Sequence, residues 1–222
     1  MSDYILEGQN LELEDLLKLR DQRSRDRRAA IRSYIVALTN GDVTSLPQAS
    51  QAIGSFFAWR STLLRVAKLS EINAAAQQWF AAWWVPSGDI LRDDVNDDLI
   101  LIRALWKLLP GYVGPPVTLY RGDSAMNRKH RTYGPSWSAD LATADGFARG
   151  RWLNFQGGSV VLKAKVQPDA ILFAPALNGD EFGEQEYIVD RRRLSGVTVI
   201  ARYPASQMPE REKLGDTDHG QE

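Results

Sequence analysis

The pattern of apolar residues changes at one place along the chain, where Pro110-Gly111 is followed by Gly114-Pro115-Pro116. Before this break, from about Leu11 to Leu109, apolar residues recur every three or four positions, which is typical of amphipathic helices. After it, short β-branched and aromatic runs end in turn residues, which is typical of strands. The sequence therefore predicts an α+β protein with a helical module over residues 1–112, a β-rich domain over residues 113–208 and a disordered tail over residues 209–222.

Composition restricts the kind of protein and the kind of partner. The 222 residues are 44% hydrophobic and 25% charged, which are the values of a globular chain long enough to bury a core. A formal net charge of -1 argues against a partner held by bulk electrostatics. The chain has no cysteine, which excludes disulfides and cysteine-ligated zinc, and its sequence shows neither a secretory signal nor a membrane-spanning apolar run. We expect a soluble, cytoplasmic protein.

Turn and cap residues predict where the helices of the first module begin and end. Asn40-Gly41-Asp42 is expected to stop the first helix, and Ser45-Leu46-Pro47 to cap and start the next. That second helix is predicted to run without interruption through Ile53 and on to Val66. Another is expected to begin at Ser70 and to close at Pro86-Ser87-Gly88.

Three groups of residues in this module each have a structural and a functional interpretation, and we favour the structural one for each. The arginines of Arg20–Arg32 form either a solvated helix face with internal ion pairs or a contact with a polyanion or partner. The acids of Asp93–Asp98 either favour the start of a helix through its dipole or hold a divalent metal. An aromatic stripe forms either core packing or a ligand groove, and its members are Phe56, Phe57, Trp59, Trp79, Phe80 and Trp83.

The second half of the chain carries strand signals, at residues 117–122, 159–166, 170–173, 184–189 and 196–203. A helix is predicted over Leu141–Arg149. The residues between the first strand and Ser136-Trp137-Ser138 are predicted to form a loop rich in Arg, Lys and Gly, and residues 175–182 a second loop.

Two carboxylates are expected on one face of the strand at residues 184–189. Side chains alternate along a strand, so Glu184 and Glu186 point the same way and repel each other without any gain for folding. Such local costs concentrate where chemistry is done. The alternative is a solvated edge strand with two exposed acids.

Three short motifs occur in a fixed order: Leu119-Tyr120-Arg121-Gly122, then Ser136-Trp137-Ser138, then Glu184-Gln185-Glu186. In that order, each on its expected element, they resemble the arginine–serine–glutamate class of ADP-ribosyltransferases, which includes the cholera and clostridial binary toxins. The resemblance covers about Val117 to Tyr203 and implies an ADP-ribosyltransferase-like split β-sandwich there. It does not cover the helical module.

The resemblance implies that NAD is the substrate and gives the motif residues roles. Arg121 would anchor the diphosphate, for which a bidentate guanidinium is better suited than lysine. Glu186 would hold the ribose 2′-hydroxyl and stabilise the positive charge that develops on the sugar. Glu184 would orient or deprotonate the incoming nucleophile. The structural alternative for Arg121 is a β-edge arginine that pairs with a carboxylate.

The serine motif departs from the family pattern, because Trp137 stands where the usual residue is Thr. Ser136 matches the first serine of the family motif and would order the catalytic glutamate or the ribose. The departure leaves Ser136 and Ser138 both open, with Ser136 favoured on motif order. Trp137 points to the opposite face and is expected to be buried.

Neighbouring residues complete the candidate site. Tyr120 and Gly122 flank Arg121 on its strand and are placed with the NAD-binding residues. Tyr133, like Phe147, either stacks on nicotinamide or belongs to the core. Phe182 precedes the glutamate strand, where the family often carries an aromatic residue that touches the acceptor, so we place it with Glu184 on the acceptor side. His130 and His219 lack metal-ligand spacing and are expected at the surface.

The resemblance implies mono-ADP-ribosyl transfer from NAD to a macromolecular acceptor, without a metal, as in a bacterial or phage toxin or effector. The acceptor is a protein side chain, with arginine one option, or a nucleic acid. The alternatives are an NAD glycohydrolase and a non-catalytic module that binds a partner through its helical half. An inhibitory or antitoxin partner fits the toxin interpretation.

Overall fold

A computed structural model describes residues 13–150, 155–174 and 185–205. The chain divides into two compact units, Met1–Gly111 and Tyr112–Glu222. The described part of the first is helical, and that of the second combines a sheet with helices, which confirms the predicted α+β class. None of the helices in the described ranges has both the length and the apolar character needed to span a bilayer.

The first unit contains five described helices: α1 (Leu13–Asn40), α2 (Leu46–Ser55), α3 (Trp59–Val66), α4 (Ala74–Val95) and α5 (Asp98–Leu108). Two of the predicted boundaries are confirmed, because α1 ends at Asn40 and α2 begins beside Ser45 with Pro47 in its first turn. Asn73 and Asp97 cap α4 and α5, each accepting hydrogen bonds from backbone N–H groups at the helix start.

The helices meet in an aromatic core, as predicted for most of the aromatic stripe. The Trp59 ring lies 5.5 Å from Tyr34, edge-on, and 5.4 Å from Trp83, while Phe80 is fully buried. Phe57 is the exception, since 75% of it is exposed. The arginines of Arg20–Arg32 all lie exposed on α1, as the solvated-face interpretation predicts.

The prediction that α4 closes at Pro86-Ser87-Gly88 is wrong. The helix continues to Val95 and ends at Asn96, which adopts the left-handed conformation with φ 45°. Proline removes the hydrogen bond to the carbonyl four residues earlier, that of Ala82, but both residues are exposed and solvent can take its place. Gly88 is buried against the Trp84 ring, so its lack of a side chain serves packing rather than helix termination.

Two further helix predictions are corrected. The helix predicted to run from the Ser45 cap through Val66 is interrupted, because Phe57 adopts a φ of 49° between α2 and α3. The helix predicted from Ser70 begins at Ala74, after its Asn73 cap. Of the acids in Asp93–Asp98, Asp97 caps α5 as predicted, but Asp93 and Asp94 belong to the end of α4. The described residues contain no group of three or more His, Cys, Asp or Glu side chains placed to hold a metal ion.

Gly88→Ala is expected to destabilise the first unit by about 1–3 kcal/mol, although alanine is the better helix former. An added Cβ would lie 2.7 Å from the ring of Trp84, which is 2% exposed and cannot move into solvent. Gly54→Ala in α2 is the control, because its Cβ would meet only Trp59 Nε1 at an ordinary 3.8 Å. Urea unfolding should show a lower midpoint for Gly88→Ala alone, and equal midpoints for the two variants would contradict the packing argument.

The described part of the second unit is built on one six-stranded antiparallel sheet. Its strands are β1 (Val117–Ser124), β2 (Ser136–Ser138), β3 (Ser159–Val166), β4 (Ile171–Phe173), β5 (Glu186–Val189) and β6 (Thr198–Tyr203), in the order β4-β5-β2-β1-β3-β6. Among the described residues two helices accompany it, α6 (Ala125–His130) and α7 (Leu141–Gly150), and short 3₁₀ turns cover Pro168–Ala170 and Arg191–Arg193. The segment predicted as a basic loop thus contains α6, whose start is capped by Ser124.

The two faces of this sheet pack against different neighbours. Leu119, Trp137 and Leu162 lie in a buried apolar cluster on one face. On the other face Val161 packs with Ala144 and Ala148 of α7. All six described strands belong to one sheet, so the finer expectation of a split β-sandwich stays a prediction.

Candidate active site

The three strands that carry the sequence motifs are neighbours in the sheet. β2 pairs with β5 on one side and with β1 on the other. Ser138 stands opposite Glu186 across the first pair and opposite Tyr120 across the second. Directly opposed residues of antiparallel strands share a face, so these three side chains form one row across the sheet.

Arg121 is held from two sides by neighbouring groups. Its Nε donates to Asp123 Oδ2 at 2.7 Å, and its Nη1 donates to the backbone carbonyl of Ser136 in a very short hydrogen bond. The side chain is 11% exposed. Arg121 therefore pairs with a carboxylate, as the structural alternative expected, but β1 lies between β2 and β3 and is not an edge strand. No hydrogen bond of Nη2 to any described residue is seen.

Asp123 is a residue of this arrangement that the sequence reasoning missed. It is fully buried, and its Oδ1 accepts from the backbone N–H of Ser124 at 2.8 Å and from Asn127 Nδ2 at 2.7 Å. With Arg121 it forms a buried ion pair in which both carboxylate oxygens have partners. Its position two residues after Arg121 was the available signal, because side chains two apart on a strand share a face.

Register makes Ser138, and not Ser136, the serine that stands opposite Glu186. Ser136 stands opposite Ile188 and contributes its carbonyl to Arg121, whereas Ser138 stands opposite Glu186. Ser138 is 6% exposed, and its Oγ accepts from the backbone N–H of Asp140 at 2.9 Å. The preference for Ser136, which came from motif order alone, stays a prediction, while the pairing of the strands makes Ser138 the neighbour of Glu186.

The third motif is described in part. Glu186 begins β5 and is partly buried, and the residue before it, Gln185, has a left-handed φ of 45°. The carbonyl of Gln185 accepts from the backbone N–H of Ala139 at 3.1 Å, which ties the start of β5 to the end of β2. Glu184 and Phe182 lie outside the described residues.

The structure does not place all three motif side chains on one face. Arg121 shares its face with Asp123 and Leu119, while Ser138 and Glu186 lie on the face of α7. The guanidinium contacts the start of β2, at Ser136, and Glu186 stands at the end of β2. The fold therefore brings the three motif strands next to one another. The anchored guanidinium of Arg121 lies on one face of the sheet, and the row of Ser138 and Glu186 lies on the other.

Helix α7 is capped at its start and joined to β6 by side-chain contacts further along. At its start Asp140 accepts from the backbone N–H of Thr143 at 2.8 Å, and this hydrogen bond is the main cause that lowers the pKa of Asp140. Further along, the Tyr203 hydroxyl of β6 donates to Asp145, which lowers the pKa of Asp145 and raises that of Tyr203. Arg149 lies over the Tyr203 ring, 4.2 Å from its centroid.

The remaining predicted residues have clear positions. Gly122 packs directly against α7, and Tyr120 is half-buried in the same cluster. Tyr133 is 4% exposed with its ring edge-on to Trp137 at 6.1 Å, which is the position of a core residue. Phe147 is 42% exposed on α7.

Of the other residues with an expected position, Trp137 and His130 are described. Trp137 is buried as expected, at 2% exposed. His130 is exposed at the end of α6, and His219 lies outside the described residues.

Comparison of the chain with protein-family models, with curated proteins and with solved structures found no match.

Proposed function

We propose that the second unit is an NAD-dependent mono-ADP-ribosyltransferase with an ADP-ribosyltransferase-like fold. The observation that carries the proposal is the strand order β5-β2-β1, which makes the three motif-bearing strands neighbours although about 65 residues separate the first motif from the last. Within that order Glu186 stands opposite Ser138, and the guanidinium of Arg121 is anchored beside β2.

The proposed reaction transfers ADP-ribose from NAD to a nucleophile on a macromolecule. The bond between the nicotinamide nitrogen and ribose C1′ breaks, and its electron pair leaves with nicotinamide. A bond from C1′ to the acceptor forms, and the acceptor's proton is released. Positive charge builds on the ribose in this step, so a nearby carboxylate stabilises the transition state more than the bound substrate. Glu186 supplies that carboxylate in our proposal.

Arg121 has the chemistry of a diphosphate anchor. A guanidinium offers five donors in a planar fork, and the two hydrogen bonds seen here use Nε and Nη1. The contact through Nε leaves the Nη2 side of the fork for an anion. Because Asp123 and the Ser136 carbonyl already fix the side chain, little rotamer freedom would be lost when a diphosphate binds.

Arg121→Lys is expected to raise the dissociation constant for NAD about tenfold or more, because an ammonium cannot reproduce the guanidinium fork and hydrogen bonds to charged groups are worth about 1.5–3 kcal/mol. Isothermal titration calorimetry with NAD measures this directly. Arg192→Lys is the matched control, since Arg192 also pairs with a buried carboxylate, Asp190, but lies outside the three motif strands. An affinity unchanged by Arg121→Lys would remove Arg121 from the NAD site.

The experiment that tests the reaction separates transfer from hydrolysis in one sample. The protein is incubated with NAD and a cell lysate, and nicotinamide release is compared with the ADP-ribose recovered on macromolecules. Transfer predicts that both appear together. Nicotinamide and free ADP-ribose without any modified macromolecule would indicate an NAD glycohydrolase, and intact NAD would indicate a non-catalytic module.

A further inference from the structure

Four consecutive basic residues follow the strand of Arg121, and we refer to Arg128-Lys129-His130-Arg131 as the basic segment. We propose that the basic segment, together with the exposed ring of Phe155, binds single-stranded nucleic acid. That the bound strand also accepts ADP-ribose rests on the proposed function, whereas the binding itself does not.

The basic segment lacks the acidic partners that four other arginines of its unit have. Arg121, Arg149, Arg192 and Arg193 each form an ion pair with an aspartate. Among the described residues, none of the three permanent cations of the basic segment has a carboxylate within ion-pair distance. The Nε of Arg128 is buried and has no hydrogen-bond partner in the part of the chain that the structure describes.

The position of the basic segment at the end of α6 explains only some of its positive charges. Cations in the last turn of a helix gain about 0.3–1 kcal/mol each from the helix dipole. Arg131 lies beyond that turn, in a left-handed conformation with φ 56° that costs a non-glycine residue energy. Adjacent like charges also repel. A run of cations that is present despite this strain and repulsion is expected on a surface that binds an anion.

The basic segment is held in place before any ligand arrives. The Oγ of Ser124 accepts from the backbone N–H of Asn127 at 3.0 Å, and Asn127 Nδ2 donates to Asp123 at 2.7 Å. On the far side the backbone N–H of Thr132 donates to the carbonyl of Asn127 at 3.0 Å. Binding therefore orders only the long side chains and not the backbone, which lowers its entropic cost.

The turn that begins at Phe155 is joined through its backbone to the start of α6, and the exposed ring of Phe155 favours nucleic acid over an acidic protein. Phe155 is 48% exposed, and its carbonyl accepts from the backbone N–H of Gly158 at 2.8 Å. The carbonyl of Gly158 in turn accepts from the backbone N–H of Ala125, the first residue of α6, at 2.9 Å. Cations that track a phosphate backbone beside an aromatic ring on which a base stacks are the usual elements of single-strand binding. The bases of a duplex are already stacked on one another, and an acidic protein contains no bases, so neither can provide a base to stack on Phe155.

The test is fluorescence anisotropy of a labelled single-stranded oligonucleotide of mixed sequence, titrated with the full chain over a range of salt concentrations. The test variant is Lys129→Gln/Arg131→Gln. The control is Arg23→Gln/Arg28→Gln, which removes the same charge from the exposed arginines of α1. A third variant, Phe155→Leu, keeps an apolar side chain and removes the stacking surface. A matched duplex and a polyglutamate peptide are titrated alongside.

We expect saturable binding that the test variant weakens about tenfold or more, with the slope of log affinity against log salt reduced by about 1.4, or about 0.7 for each lost phosphate contact. Phe155→Leu should weaken binding about fivefold or more. The Arg23/Arg28 control should bind like the wild type. We also expect the duplex and polyglutamate to bind more weakly than the single-stranded oligonucleotide.

The proposal is overturned if the wild type shows no saturable binding, or if the Arg23/Arg28 control loses as much affinity as the test variant. Equal affinity for polyglutamate, with no effect of Phe155→Leu, would indicate an acidic protein partner and overturn it as well. These measurements contain no NAD, so a failure of ADP-ribosyl transfer leaves their outcome unaffected and is seen separately.

Discussion

Glu186→Gln is expected to lower the rate of nicotinamide release from NAD by about 10²-fold or more, with or without an acceptor present. The substitution is nearly isosteric and removes the negative charge that would stabilise the developing positive charge on the ribose. Because every route of NAD cleavage passes through that charge, hydrolysis and transfer should fall together. Nicotinamide release is measured by chromatography at saturating NAD.

Glu184→Gln is the matched control, since it removes an equal charge two residues away on the same segment. In our proposal Glu184 serves only the acceptor, so its variant should lose transfer but keep slow nicotinamide release. Thermal unfolding of both variants shows whether they fold. Release at the full rate in a folded Glu186→Gln protein would contradict the mechanism, and loss of folding in both variants would favour a structural strand that carries two acids.

Gly122→Ala is expected to destabilise the second unit by about 3 kcal/mol, near the upper end of the usual cost of overpacking. An added Cβ would fall within 3.0 Å of the carbonyl oxygen of Ala144 and the backbone nitrogen of Ala148. These are backbone atoms of α7, so the whole helix would have to move away from β1. The substitution should therefore weaken the contact that holds α7 over the motif strands.

Gly146→Ala provides the comparison for Gly122→Ala, because it adds the same methyl group to α7 at a position where nothing lies within 4 Å. Helix propensity alone should make that variant more stable by about 0.5–1 kcal/mol. Denaturant unfolding monitored by circular dichroism gives both values. A Gly122→Ala protein as stable as the wild type would mean that α7 does not pack as closely on β1 as the structure has it.

Local signals predicted much of the fold because they act over a few residues. Asn40 ends α1 where the Asn-Gly-Asp stop was expected, and the third strand covers Ser159–Val166 as predicted. The break at residues 110–116 contains the point at which the two compact units divide. The failures are places where packing overrode a local signal. Pro86 lies inside α4, and the left-handed backbone of Phe57 interrupts an apolar run that has a helical period.

The candidate site was predictable as a set of strands but not as a set of facing side chains. Each motif has a local signature, and the three do lie on adjacent strands. Which serine stands opposite Glu186 depends on the register between β2 and β5, about 50 residues apart in sequence, and a shift of one residue would reverse every face. Motif order therefore pointed to Ser136, whereas the register places Ser138 opposite Glu186.

The partners of Arg121 escaped the sequence reasoning for a similar reason. The first strand was predicted to end at Gly122, whereas β1 continues to Ser124 and carries Asp123 on the face of Arg121. The α6 helix then follows in a segment whose Arg, Lys and Gly content had favoured a loop. A six-residue helix has too few turns to show a period, so only its cap at Ser124 could have indicated it.

We propose that this chain cleaves NAD and transfers its ADP-ribose to a macromolecule. The most direct test is to incubate the wild-type protein and Glu186→Gln with a cell lysate and NAD labelled in the nicotinamide ring or, separately, in the adenylate. Protease and nuclease digestion then assign any adenylate label to protein or nucleic acid. We predict free nicotinamide and macromolecule-bound adenylate with the wild type and neither with Glu186→Gln. Intact NAD and no bound label with a folded wild-type protein would contradict the claim.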